Sequence, residues 1–235
     1  MAAFEPEILR DALKVLTSAG YRVHLAAPAD GSSRPLCCGR TYLAVGNVEA
    51  AKAEMSRTLD ALEPFFARGV PLVGLEPSCL FSFRDEALAM LPGPVSKRAA
   101  AHALLFEEFI AREAKAGRFK PDLMPAKSKA MLHGHCHQKA FGAMGPVEET
   151  LRLIPGLKLE KIESSCCGMA GAFGYQAETA DMSLAMGELS LLPAARAADA
   201  DTVLVADGTS CRHQIEDGAD RKAVHVASLL AAHLS

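Results

Sequence analysis

The spacing of apolar and polar residues predicts helices that alternate with short strands along the chain. Apolar residues recur at helical spacing through residues 5–19 and stop at Gly20, which favours a helix that ends in a glycine cap. Residues 70–75 and 202–206 are almost continuous apolar runs, the pattern of strands buried on both faces of a parallel sheet. Further strands are predicted at residues 21–27, 130–133 and 157–162, and further helices at 47–68, 78–90, 99–116, 147–153, 178–196, from 210 onward, and at 227–232.

The order of these elements occurs twice. Each half of the chain contains a helix, a strand, Cys-Cys-Gly, a helix, a strand, Ser-Cys and a helix. This order predicts an α/β fold of two tandem βαβ-type repeats, residues 1–118 and 128–235, with mostly parallel sheets flanked by helices. The first repeat lacks a counterpart of the strand at 130–133, so we expect it to be truncated at its N-terminus.

All seven cysteines lie next to the repeated strands, whereas cysteines kept only as small apolar residues would be scattered. Ligands of open parallel sheets bind beyond the carboxyl ends of the strands. The thiols are therefore predicted to lie at those edges, as ligands of a soft metal or an iron–sulfur cluster would. The cysteine motifs are Cys37-Cys38-Gly39 and Cys79 in the first repeat, and Cys136, Cys166-Cys167-Gly168 and Cys211 in the second.

Composition and charge narrow the class of protein. Half of the residues are hydrophobic, only 6% are aromatic and Trp is absent, which favours helices packed on a parallel sheet over an all-β sandwich. A net charge of −3 without a basic stripe argues against a nucleic-acid partner. No run of about 20 apolar residues is present, so no transmembrane segment is expected.

The compartment is predicted from the start of the chain and from the cysteines. The first residues lack the basic and apolar regions of a signal peptide, so we expect a cytoplasmic protein that reaches the inner face of a membrane only through partners. A reducing cytoplasm and an odd number of cysteines, seven, both argue against a disulfide framework. Inert buried thiols are the other structural explanation.

The second repeat offers four thiols, those of Cys136, Cys166, Cys167 and Cys211. Four thiolates can hold a [4Fe–4S] cluster or a tetrahedral zinc ion. Adjacent cysteines chelate one ion poorly, whereas a cluster presents a separate metal to each thiolate, so the cluster is the preferred prediction. The first repeat has only three thiols, and whether it binds a cluster stays open.

Residues beside the cysteines are candidates for contacts with a bound cluster. The glycines that end the two pairs, Gly39 and Gly168, are predicted to allow close backbone approach and to donate amide hydrogen bonds to sulfur. Three histidines lie within two residues of a cysteine and are candidates for contacts with the ligand sulfurs: His135, His137 and His213.

Taken together, six ordered motifs resemble the cysteine-rich CCG-domain family. This family includes the B subunit of heterodisulfide reductase, the iron–sulfur subunit of glycolate oxidase, the C subunit of anaerobic glycerol-3-phosphate dehydrogenase and lactate-utilisation proteins. The residues of these motifs are most similar to those in the C-terminal part of FAD/iron–sulfur D-lactate or glycolate dehydrogenases. The motifs are Phe4-Glu5-Pro6, Cys37-Cys38-Gly39-Arg40, Glu76-Pro77-Ser78-Cys79, His135-Cys136-His137-Gln138-Lys139, Cys166-Cys167-Gly168-Met169-Ala170-Gly171 and Asp207-Gly208-Thr209-Ser210-Cys211.

The resemblance implies an iron–sulfur electron-transfer subunit, or a detached domain, of a flavin-dependent glycolate or D-lactate dehydrogenase. FAD would reside on a partner chain or domain, and the acceptor would be a ferredoxin-like segment or a quinone-linked carrier. The chain alone is not expected to oxidise a hydroxy acid. The family's motif ends in Cys-x-x-Cys, whereas this chain has Ser82 and Gln214 at the last positions, so one [4Fe–4S] cluster in the second repeat is expected.

Two alternatives belong to other functional classes. One is a zinc-stabilised binding module without a redox role. The other is a component of a thiol/disulfide reductase that acts at Cys166 and Cys167.

Overall fold

The computed structural model describes residues 5–235. Phe4, the first residue of the Phe4-Glu5-Pro6 motif, and the start of the chain lie outside the described residues. Within them, six strands are present: β1 (Leu72–Gly74), β2 (Ala103–Leu105), β3 (Lys129–Leu132), β4 (Lys158–Lys161), β5 (Val203–Val205) and β6 (Ala223–Val224).

The helices of the described residues are mostly short. They are α1 (Pro6–Ser18), α2 (Arg40–Ala44), α3 (Val48–Phe66), α4 (Pro77–Arg84), α5 (Glu86–Met90), α6 (Pro94–His102), α7 (Phe106–Lys115), α8 (Cys136–Ala140), α9 (Met144–Leu151), α10 (Ala180–Glu188), α11 (Leu191–Ala197), α12 (Thr209–Ala219) and α13 (Val226–Ala232).

The chain divides into two compact units. The larger unit combines the described residues up to Arg22 with Phe106–Ser235, and the smaller unit is Val23–Leu105. Helix α1 lies in the larger unit because it packs on α13, where Val15 and Leu230 are fully buried. The compact units therefore do not coincide with the predicted repeat boundaries, residues 1–118 and 128–235, which follow the repetition of motifs.

The larger unit is built around a parallel sheet with the strand order β4-β3-β5-β6. Ala130 of β3 pairs with Leu159 of β4 on one side and with Val203 of β5 on the other. Side chains from β5 and from α11 and α12 form the adjoining core, in which Leu204, Leu191 and Ile215 are almost completely buried. The predicted α/β class with parallel sheets flanked by helices is confirmed.

The smaller unit contains the two-stranded parallel sheet β1-β2. Its longest helix, α3, begins as predicted at Asn47, whose side chain accepts a hydrogen bond from the Ala50 N–H at 3.2 Å. The predicted helix at 99–116 is wrong in its middle, because Ala103–Leu105 leave the helix and pair with β1. The side chains of Ala103 and Leu105 are buried there, so burial outweighs the helical preference of the sequence.

Three other element predictions need correction. The strand predicted at 21–27 is absent: these residues pair with no strand of the described chain, and Leu25 is 68% exposed. Without a neighbouring strand, alternation of apolar and polar residues does not make a sheet. The helix predicted at 178–196 is interrupted between α10 and α11, and the one at 78–90 is interrupted between α4 and α5.

None of the helices in residues 5–235 is both long enough and apolar enough to cross a membrane.

A buried carboxylate gives the larger unit a stability that depends on pH. The Glu113 carboxylate accepts hydrogen bonds from Arg118 at 2.7 and 2.8 Å and from the Tyr21 hydroxyl at 3.1 Å. The bonds from Arg118 lower the pKa of Glu113 from its usual 4.5 to about 2, although burial opposes them. Stability from this group is present above pH 4.5 and is lost as the pH falls towards 2.

Glu113→Gln should lower the free energy of unfolding at pH 7 by about 1.5 kcal/mol, the order expected for hydrogen bonds to a charged group. The difference from the wild type should shrink as the pH is lowered from 5 to 3, because the Glu113 carboxyl group of the unfolded chain binds a proton below pH 4.5, whereas that of the folded chain does so only near pH 2. Thermal unfolding at both pH values checks this, with Glu7→Gln as the control because the Glu7 side chain is exposed. A difference independent of pH would contradict the assignment.

Candidate metal centre

Three neighbouring strands each lead into a loop that carries cysteine. Cys136 follows β3, the Cys166–Cys167 pair follows β4, and Cys211 follows β5. Because the three strands are parallel and adjacent, their carboxyl ends meet at one edge of the sheet. The strand order reverses at β3, and this is where open sheets of this kind bind ligands.

The structure brings the four thiols of these loops together. The side chains of Cys136 and Cys166, of Cys166 and Cys167, and of Cys167 and Cys211 are neighbours that interact with each other. Cys167 and Cys211 are buried, Cys166 is half-buried and Cys136 is exposed. The four sulfurs therefore extend from the core to the surface at one edge of the sheet.

The thiols alternate in acidity along this row. The neighbouring Cys166 thiol, together with burial, raises the pKa of Cys136. The thiols of Cys166 and Cys211 raise the pKa of Cys167. Hydrogen bonds from Cys136 and Cys167 lower the pKa of Cys166. The neighbouring Cys167 thiol and, to a smaller extent, the His133 ring hold the pKa of Cys211 well below its usual range, although burial opposes them. Thiolate is the form that binds metal.

The Cys-Cys-Gly turn requires its glycine. Gly168 has φ +94°, and its N–H donates a hydrogen bond to the Cys166 sulfur at 3.3 Å. A Cβ at this position would lie 2.0 Å from the Ser183 carbonyl oxygen. The close backbone approach predicted at Gly168 is therefore present, with α10 as the neighbour.

Helix α8 positions the first thiol. His135 caps this helix, since its Nδ1 accepts a hydrogen bond from the His137 N–H at 3.1 Å. The same Nδ1 lies 4.0 Å from the Cys136 sulfur. Lys139, one turn further on, donates hydrogen bonds to the carbonyls of Ser164 and Ser165, just before the cysteine pair. The helix thus fixes both its own cysteine and the loop after β4.

Of the histidines predicted to contact the sulfurs, His135 is next to one and His137 lies beside it, with ring centroids 5.1 Å apart. His213 instead binds the Tyr175 hydroxyl through Nδ1 at 2.5 Å. His133, three residues before Cys136, also lies near the thiols: one of its ring nitrogens and the sulfurs of Cys167 and Cys211 all lie within 4.8 Å of one another.

Arg212 fixes the loop that carries Cys211. Its guanidinium donates to the carbonyls of Ala206 and Asp207, each at 2.8 Å, and to the Glu5 carboxylate at 2.9 Å. Burial raises the pKa of Glu5, but the hydrogen bonds from Arg212 and Thr209 lower it overall. Arg212 is only 5% exposed, so this buried ion pair positions the Cys211 loop.

Gln214 stands where the family that the motifs resemble has its last cysteine, and it holds neighbouring segments in place. Gln214 is buried and donates hydrogen bonds to the carbonyl and hydroxyl of Ser183, at 3.0 and 3.2 Å. It thereby holds α10 against the turn at Gly168. In the smaller unit, Ser82 is fully buried and donates to the Ser78 carbonyl at 3.1 Å.

The smaller unit contains a three-thiol counterpart. Hydrogen bonds link Cys37 to Cys38 and Cys38 to Cys79. The bond with Cys37 lowers the pKa of Cys38, but the bond with Cys79 and burial raise it to about 12. Gly39 matches Gly168: its φ is +78°, and a Cβ there would lie 2.7 Å from the Ala51 carbonyl oxygen.

Helix α3 holds the segment that leads to this cysteine pair. Thr58 donates to the Cys37 carbonyl at 2.8 Å, and Arg57 donates to the Pro35 carbonyl at 2.5 Å. Arg57 is in turn paired with the buried Glu54 at 2.6 Å. The side chains of the three thiols of this unit are neighbours.

A buried polar cluster beneath the four-thiol site was not predicted. Glu107, Asp207 and His225 lie with one ligand atom each within 4.8 Å, and all are at most 1% exposed. Burial and the charge of Asp207 raise the pKa of Glu107 well above its usual range. Of these three residues, only Asp207 could have been identified from the sequence as a candidate, because it is an acidic residue directly after a buried strand.

The four-thiol site fits a cluster better than a single ion. Four thiols lie together, and two of them belong to consecutive residues, which chelate one ion poorly. A cluster with several metals can accept each thiolate separately. An amide N–H already donates to one sulfur, as is common around cluster ligands.

Comparison with known proteins agrees with this site. A family model for a cysteine-rich domain, CCG, matches residues 130–216, which include all four thiols. The chain is 31% identical to the C subunit of the anaerobic glycerol-3-phosphate dehydrogenase of Escherichia coli (strain K12), over 98% of this chain and 56% of the relative.

Two further relatives are D-2-hydroxyglutarate dehydrogenases. The protein of Escherichia coli (strain K12) is 29% identical over 68% of this chain and 15% of the relative. That of Pseudomonas putida is 28% identical over 94% of this chain and 20% of the relative. The chain thus spans about half of the length of the glycerol-3-phosphate dehydrogenase relative and a fifth or less of the two others.

Proposed function

Residues 130–216 belong to the cysteine-rich CCG-domain family, and from this premise we propose that the chain is the iron–sulfur electron-transfer component of a flavin-dependent dehydrogenase. The observation that carries the proposal is the convergence of four sulfurs beyond three adjacent parallel strands. The relatives are dehydrogenases or subunits of them, which supports a redox role over a purely structural one.

The thiolates of Cys136, Cys166, Cys167 and Cys211 would hold the cluster. A [4Fe–4S] cluster bound there would supply one-electron uptake and release. The buried side chains of Cys167 and Cys211 keep water from the inner face of the site. Cys136 is exposed, so the side of the site at α8 is the one from which a partner can exchange electrons.

The substrate and the flavin belong to partners in this proposal. A two-electron oxidation would take place at a flavin on another chain or domain, and the electrons would pass singly through this component to a ferredoxin-like segment or a quinone-linked acceptor. Four compounds are candidate substrates of the complete dehydrogenase. Glycolate and D-lactate are implied by the resemblance, and glycerol 3-phosphate and D-2-hydroxyglutarate occur in the names of the relatives.

One observation favours zinc as a second candidate. A ring nitrogen of His133 lies with the sulfurs of Cys167 and Cys211 within 4.8 Å, which is a donor set that zinc accepts. Zinc at this position would use only half of the thiols and would have no redox role.

Spectroscopy of protein prepared without oxygen tests the proposal. We expect visible absorption that dithionite bleaches and that a soluble quinone restores, because the component takes up and releases electrons. The four candidate substrates, added without a flavoprotein, should leave the absorption unchanged. A colourless protein, or bleaching by one of these substrates alone, would contradict the proposal.

A further inference from the structure

The sequence of α8 contains a residue whose role the cluster ligands do not explain. Gln138 is completely buried two positions after Cys136. Its Oε1 accepts a hydrogen bond from the His135 N–H at 3.1 Å, and its Nε2 donates to Asp207 Oδ2 at 2.8 Å. Both ends of the amide are therefore in use, and one of them reaches a residue 69 positions away.

Asp207 ties this contact to the loop after β5. The carboxylate is fully buried, and its Oδ1 accepts a hydrogen bond from the Val226 N–H at 3.2 Å. His225 Nε2 lies 3.6 Å from the same oxygen. Because His225 Nδ1 accepts a hydrogen bond from the Ala227 N–H, the neutral ring carries its proton on Nε2, which faces the carboxylate.

The same ring assignment argues against a second metal ion in the buried cluster of Glu107, Asp207 and His225. A ligand nitrogen must offer a lone pair, but the His225 nitrogen that faces Asp207 carries a proton. The cluster instead holds the Asp207 carboxylate by donors from two directions, Gln138 and the start of α13.

The turn between Asp207 and Cys211 lies directly against the capped start of α8. A Cβ at Gly208 would be 2.3 Å from the His135 ring and 3.3 Å from the Cys211 sulfur. The hydrogen bond between Gln138 and Asp207 thus joins the two backbone segments that carry Cys136 and Cys211.

We propose that Gln138 and Asp207 are positioning residues of the metal centre, whose buried hydrogen bond sets the separation of the Cys136 and Cys211 sulfurs. This inference rests on the proposed function for the identity of the metal group, but the contact itself concerns the thiols. Neither side chain binds the metal. Loss of the bond leaves a buried donor or acceptor unpaired and lets the two segments move apart.

Single variants should disrupt the contact in a defined way. In Asp207→Asn, one of the two donors, Gln138 Nε2 or the Val226 N–H, must face an amide nitrogen. In Gln138→Glu, two carboxylates face each other. The double variant Gln138→Glu/Asp207→Asn restores every bond with the donor and acceptor exchanged, and the number of buried carboxylates stays the same.

Thr150→Val is the matched control. Thr150 is as deeply buried as Gln138 and donates to the Glu107 carbonyl at 3.0 Å, in the same unit. Its hydrogen bond joins α9 to α7 and touches neither cysteine segment. The Thr150→Val variant therefore shows how the loss of a buried hydrogen bond far from the cysteine segments affects stability and metal binding.

Cobalt(II) titration of oxygen-free, metal-free protein is the first measurement, followed through thiolate-to-cobalt absorption. We expect each single variant to bind Co²⁺ about tenfold more weakly than the wild type, the range known for residues that orient metal ligands. The exchanged double variant should return to within about threefold of the wild type, and Thr150→Val should bind like the wild type while melting at a lower temperature.

The electron paramagnetic resonance spectrum of the reduced cluster is the second measurement. It should change in the single variants and return in the double variant, which a loss of stability alone would not produce. Single variants that bind Co²⁺ like the wild type, or a double variant that binds no better than they do or fails to fold, would overturn the inference. Cobalt results as expected in a protein that never takes up iron would overturn only the proposed function.

Discussion

Replacement of Cys211 by serine is expected to remove most of the iron that the protein binds, from about four atoms to fewer than one per chain, because a four-thiolate cluster loses one of its ligands. Cys211 lies in the apolar core and its sulfur is linked to Cys167 and His133. A serine hydroxyl is close in size but binds iron weakly in place of a thiolate. Iron and acid-labile sulfide, measured after oxygen-free preparation, check the result.

The control for this experiment is Cys38→Ser. Cys38 is also buried and also belongs to a linked set of thiols, but that set has three members and lies in the smaller unit. If the larger unit binds the cluster, Cys38→Ser should keep the iron. Equal losses in the two variants would contradict the assignment of the cluster to the four-thiol site.

Replacement of Gly168 by alanine should have the largest effect on folding. The left-handed φ costs a residue with a Cβ about 1–2 kcal/mol. The methyl group would also collide with the Ser183 carbonyl, only 2.0 Å away, which Gln214 holds in place by a hydrogen bond. Both effects destabilise the turn that carries two of the proposed cluster ligands. We therefore expect a drop in melting temperature of about 10 °C or more and loss of metal binding.

Gly171→Ala separates backbone strain from collision. Gly171 has φ +71°, and no atom lies within 4 Å of the place that an alanine methyl group would occupy, so only the strain applies there. Its melting temperature should fall by a few degrees, about 2–4 °C for each kcal/mol in a chain of this size. If Gly168→Ala melts within error of Gly171→Ala, the close packing of α10 on the turn is wrong.

The part of the site that the sequence predicted depends on local patterns. The strands at 130–133, 157–162 and 202–206 are short apolar or alternating runs, each followed by cysteine, and β3, β4 and β5 lie there. Parallel pairing then brings the ends of the three strands together. The convergence of the four thiols follows from these patterns without knowledge of any side-chain contact.

The parts that failed depend on partners far away in the sequence. Residues 21–27 alternate like a strand but have no strand to pair with in the described chain. Ala103–Leu105 look helical, yet they pair with β1, about 30 residues earlier.

The buried polar contacts were the least accessible to prediction. Gln138 looked like one member of a motif, and nothing local identified Asp207 as its partner. Glu107 sits in an amphipathic helix, where a carboxylate is ordinarily exposed. Such pairs can be identified only when the fold places two segments in contact. Here the two segments are those that carry Cys136 and Cys211.

The measurement that tests the account most directly is the content of iron, acid-labile sulfide and zinc per chain in protein prepared without oxygen. We predict about four irons and four sulfides, in the ratio of a [4Fe–4S] cluster, and no stoichiometric zinc. One zinc per chain without acid-labile sulfide would contradict it.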